Sequence, residues 1–111
     1  YCGAFKLDPD ALMQPVIDEM VIKPDALEIN LNGSGPIGST WVGSGSGWAV
    51  YEMQLSNSIA MELKQVIPDM ITRADEIAVL AVPDFNQGKA VNADQALPIY
   101  LRNEVAWKKS S

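Results

Sequence analysis

Gly43, Gly45 and Gly47, interleaved with Ser44 and Ser46, are the one set of residues in this 111-residue chain whose type and spacing suit a phosphate. Successive backbone N–H groups in a glycine-rich turn, followed by a helix N-terminus, make a concave array of donors for an anion. Yet the turn holds no Lys or Arg, and Trp48 follows at once, so the charge that a triphosphate demands is missing. The same glycines serve a tight structural turn, because they tolerate positive φ and close approach of neighbouring atoms. Gly43, Gly45 and Gly47 are therefore kept as candidate nucleotide contacts, while no cofactor is expected.

The acidic pairs Asp18-Glu19 and Asp75-Glu76 could in principle move protons or hold a divalent cation. Adjacent side chains diverge, however, and neither pair has a convincing third ligand, so both read as solvated faces. The chain has no His. That removes a His-based triad and any zinc site with imidazole ligands. Cys2 stands alone, which rules out a disulfide within the chain and agrees with a reducing cytoplasm. In a strand it reads as a small buried apolar side chain rather than a reactive thiol. No catalytic residue and no metal site are expected.

Fourteen acidic against eight basic residues give a net charge of −6, a poor match for a phosphate backbone. Arg102, Lys108 and Lys109 cluster near the C-terminus but are too few to line a groove, so no direct grip on a nucleic acid is expected. With 48% apolar and 20% charged residues the composition is that of one soluble globular domain. No apolar run approaches the ~20 residues that cross a bilayer, and no export signal is visible. A cytoplasmic protein without a membrane partner is expected.

The elements that must position these residues follow from pattern. Tyr1 to Leu7 is aromatic-rich and stops at the Asp8-Pro9-Asp10 turn signal, so it is predicted as a strand. Pro15 breaks a helix in the mixed pattern that follows, which leaves Met20 to Ile22 as a second strand antiparallel to the first. Pro24 to Glu28 carries Pro and acids in the order of a helix start, with Gly33 ending it. Asn32 to Ser39 is a loop, and Ser39 to Gly43 a short buried strand leading into the glycine turn. Leu55 to Val66 reads as a further loop and an extended piece, with Ile59, Met61, Leu63 and Val66 alternating. Pro68 to Phe85 is the clearest helix, since Met70, Ala74, Ile77, Ala78, Ala81 and Phe85 share one face. Pro83 should kink or end its last turn, and Gly88 closes the segment.

The segment Pro98 to Lys109, PIYLRNEVAWKK, is not demanded by any packing or propensity argument. Tyr100, Leu101, Val105 and Trp107 alternate there with Arg102, Asn103 and Lys108. The tail could strap two lobes of a longer chain together, or it could be an interface in which Tyr100, Arg102 and Trp107 are the contact candidates. The string closely resembles the C-terminus of the TsaB (YeaZ) family. The likeness continues upstream in Tyr1 to Phe5, in Val21-Ile22-Lys23-Pro24, in Trp41-Val42-Gly43 leading to Gly45-Ser46-Gly47-Trp48, and in a closing helix that ends at Gly88-Lys89.

The resemblance implies an α+β fold: a truncated actin-like ATPase lobe of ribonuclease-H-like topology, with a small mixed β-sheet packed with helices. It implies that residues 1–111 form a single C-terminal lobe lacking the N-terminal lobe and the first strand of its own sheet, with residues 98–111 as a tail. A strand edge left unpaired in this way would tend to recruit another strand, so a homodimer is conceivable. By the same resemblance the intact protein is a non-catalytic bacterial scaffold that partners TsaD, together with TsaE, in making N6-threonylcarbamoyladenosine in tRNA, with the tRNA contacted only indirectly. The superfamily's glycoprotease label supplies an alternative, a peptidase; a free-standing binding module acting through the tail aromatics is a third.

Overall fold

The computed structural model describes residues 1–31, 33–34, 39–59 and 62–102. Its first unit is a hairpin. Strand β1 (Cys2–Leu7) runs antiparallel to β2 (Met13–Met20), and the turn between them is organised by one carboxylate. Asp8 Oδ1 accepts from the N–H groups of Asp10 and Leu12, each at 2.9 Å, and Oδ2 accepts from Gln14 Nε2 at 3.0 Å. Such side-chain acceptance of backbone N–H groups is how Asp fixes a turn. The second strand is thus longer than its pattern predicts and sits earlier: Pro15 is inside it and Val21 and Ile22 lie beyond its end. Proline is tolerated there because β2 is an edge strand, where its missing N–H interrupts no ladder.

The predicted helix at Pro24 is only a single 3₁₀ turn, Pro24–Ala26. The next residues run extended, and Leu27, Ile29 and Leu31 are buried while Glu28 and Asn30 are exposed. Their period of two is that of a strand, and it overrides the helix-start signal ahead of it. Ile29 forms a parallel bridge to Ile59, with its N–H donating to Ser58 O at 3.3 Å. These three residues and Ala4 of β1 form the buried core, against which Cys2, Val16, Ile17, Met20, Ile22, Trp41, Leu55 and Ile59 pack.

The second unit is a βαβ crossover. Strand β3 (Trp41–Ser44) leads through the glycine turn into α1 (Gly47–Ser58), which returns the chain to β4 (Leu63–Ile67), parallel to β3. Parallel neighbours need such a crossover, and a helix is its usual form. Helix α1 is absent from the sequence expectation, which places only a loop and an extended piece around Leu55. Its apolar residues are spread around the axis instead of forming a stripe, and Tyr51 departs from helical geometry at φ −124°, ψ 27°. The extended piece itself is found at Leu63–Ile67, whereas Met61 falls outside the described residues.

Helix α2 (Ala74–Asn86) matches the predicted closing helix but starts six residues later than Pro68. Arg73 caps it: its N–H donates to Glu76 Oε2 at 3.1 Å, and its guanidinium Nε meets Asp75 Oδ1 at 3.0 Å. Pro83 lies in the last turn without ending it, because the helix runs three residues further and Gln87 N–H still reaches Pro83 O at 3.0 Å. Gly88, at φ +72°, then closes it in the left-handed conformation as expected. The fold class is therefore α+β, and the described residues form two α-helices and two two-stranded sheets, one antiparallel and one parallel. The expected mixed sheet is in two pieces because β1 and β3 share no ladder.

Candidate functional site

The glycine turn gathers the sequence's phosphate-like features between β3 and α1, and each glycine there answers a different local demand. A Cβ on Gly43 would lie 2.7 Å from Trp48 Cε2 and Cζ2, so this glycine makes room for the indole stacked against the strand. Gly45 has φ +107°, which side chains rarely adopt. Gly47 opens α1 with empty space where a Cβ would point. The turn's N–H groups are largely committed: Gly45 N–H donates to Ile67 O at 3.1 Å, Trp48 N–H to Gly45 O at 3.2 Å and Ala49 N–H to Ser46 O at 3.1 Å. An array whose donors already have backbone partners offers few to an anion. The turn locks β3 to β4 and seats Trp48.

The acidic pairs are likewise explained locally. Asp18 and Glu19 are consecutive in β2, where side chains point to opposite faces, and both are exposed. Asp75 and Glu76 occupy the first turn of α2 and serve its cap, as described above. The Arg73 guanidinium holds the Asp75 carboxyl below its ordinary pKa, and the Leu12 N–H, first among several donors, does the same for Asp8. Burial raises the pKa of the half-buried Cys2 thiol, which makes the thiolate scarcer. Among the described residues no group of three or more His, Cys, Asp or Glu could hold a metal. No described helix is long and apolar enough to cross a membrane.

The tail candidates are only partly in view. Tyr100 is 76% exposed and Arg102 is exposed too, while Trp107 lies outside the described residues. Leu101 reaches the outer face of the hairpin, where it lines a cleft of about 350 Å³ with Tyr1, Cys2, Gly3, Phe5 and Glu19. A second, shallower cleft of about 410 Å³ separates the hairpin turn from α2, between Leu12 and Val79, Val82 and Pro83.

The larger surface feature is one that pattern reading did not single out. No residue of α2 is buried, and Ile77, Val79, Leu80, Val82 and Phe85 are all exposed. A helix apolar on nearly every side is normally an interior helix. Val91, Leu97, Ile99 and Tyr100 continue the exposed apolar surface along the chain that follows. The signal was present in the run AVLAVPDF, which has only one charge. The arrangement suits association with other polypeptide better than it suits chemistry on a small molecule.

No family model matches the chain. It is 26% identical over 110 residues to the tRNA threonylcarbamoyladenosine biosynthesis protein TsaB of Escherichia coli (strain K12), an alignment covering 98% of this chain and 45% of that protein. In three dimensions it resembles a crystal structure of an uncharacterised Pseudomonas aeruginosa protein with similarity to peptidase YeaZ. The TM-score is 0.69 at 24% identity, over 90% of this chain and 42% of the other. The chain thus spans less than half the length of either relative.

Proposed function

We propose, on the premise that this chain is a TsaB/YeaZ-type domain, that it serves N6-threonylcarbamoyladenosine formation in tRNA as part of a non-catalytic scaffold that partners a TsaD homologue, with TsaE in the same cytoplasmic assembly. It is read as the C-terminal lobe of that scaffold, with residues 98–111 as its tail. The observation that carries this reading is the alignment of 98% of this chain with 45% of the E. coli protein, which a shared local motif would not produce. The surface supports it: the chain exposes an apolar helix and tail rather than a polar pocket, and its acidic balance disfavours a direct grip on tRNA.

The test is a hybrid in which this chain replaces the matched segment of the E. coli protein. Unmodified tRNA is incubated with TsaC, TsaD and TsaE, and the modified nucleoside is quantified after digestion. The hybrid should restore modification and the 111 residues alone should not. A folded hybrid that leaves the tRNA unmodified, beside an active E. coli control, would sink the proposal.

A second reading, a peptidase, follows from the similarity of the Pseudomonas protein to peptidase YeaZ. It needs a nucleophile beside a base, or a metal constellation. Among the described residues no group of three or more His, Cys, Asp or Glu could hold a metal, and the chain has no His to act as a base. Cleavage of a casein or peptide-library substrate by the hybrid, abolished by no TsaD-directed change, would favour it over the scaffold.

A further inference from the structure

We draw no further inference here: the strongest candidate, the exposed apolar surface of α2 with the shallow cleft it forms against the hairpin turn at Leu12, carries none, because nothing in the structure shows what covers it.

Discussion

Gly43, Gly45 and Gly47 share one turn, and the physics of each predicts a different response to an added methyl group. Gly43→Ala drives a Cβ to 2.7 Å from the Trp48 indole and should destabilise by about 1–3 kcal/mol, the usual cost of overpacking. Because the penalty is a clash, Trp48→Ala should relieve most of it in a double-mutant cycle measured by urea unfolding. Gly45→Ala should cost about 1–2 kcal/mol through its φ of +107°, and Trp48→Ala should leave that cost unchanged. Gly47→Ala, at an open position with ordinary φ, should be neutral or stabilise by up to about 1 kcal/mol. Asp8 sets a different measurement. Its carboxyl lies below its ordinary pKa in the folded hairpin, so its contribution is complete above the unfolded value of about 3.9 and fades as the pH falls through the lower, folded value. In an acid titration followed by the amide resonances of Asp10 and Leu12, Asp8→Asn should remove that dependence while keeping a turn-forming acceptor.

At the level of elements, two segments divide the stability unequally. Leu27, Ile29 and Leu31 supply three of the four apolar side chains buried among the described residues, so Leu27→Ala should cost about 2–5 kcal/mol and unfold much of the population. Phe85→Ala in α2, where the ring is 72% exposed, should change stability by less than about 0.5 kcal/mol in this chain. This ranking inverts what helical periodicity suggests, since Phe85 lies on the predicted apolar face and Leu27 in a predicted helix. Strand β1, the closing helix and Gly88 were legible because their signals are local: a turn signal, a stripe, a positive-φ glycine; the α+β class came from the family resemblance, not from these signals. Helix α1 was not, since a crossover helix without a stripe is specified by the two parallel strands it must join, and Trp41–Ser44 and Leu63–Ile67 are 18 residues apart. The Leu27-Glu28-Ile29-Asn30-Leu31 alternation was legible in principle but stood behind a helix-start motif that forms only one 3₁₀ turn. For the candidate site, the glycine turn was found where sequence placed it, while the partners of its N–H groups depend on β4 and could not be read from the turn itself.

The whole molecule exposes far more surface than its size calls for. A folded chain of 12.0 kDa should present about 6,000 Å², and this one presents 9642 Å². Its radius of gyration is 17.0 Å against about 13 Å for a compact domain of this length. Among the described residues only Ala4, Leu27, Ile29 and Leu31 bury apolar side chains, too few to repay the conformational entropy of ordering so many residues with a comfortable margin. The isolated chain should therefore unfold at low urea, with an m-value below that of compact proteins of its length, because m follows the surface that unfolding newly exposes. Helix α2 gives the most local form of this expectation. With none of its residues buried, its amides should exchange with solvent deuterium nearly as fast as those of an unfolded peptide, while the amides of Leu27 to Leu31 exchange only by global opening. In the hybrid with the E. coli protein, α2 should slow by at least about tenfold if the rest of that protein covers it, since burying its aliphatic side chains stabilises the closed helix. Unchanged α2 exchange in a hybrid that modifies tRNA would assign the apolar helix to an external partner; slowed exchange would make it part of the scaffold's own interior.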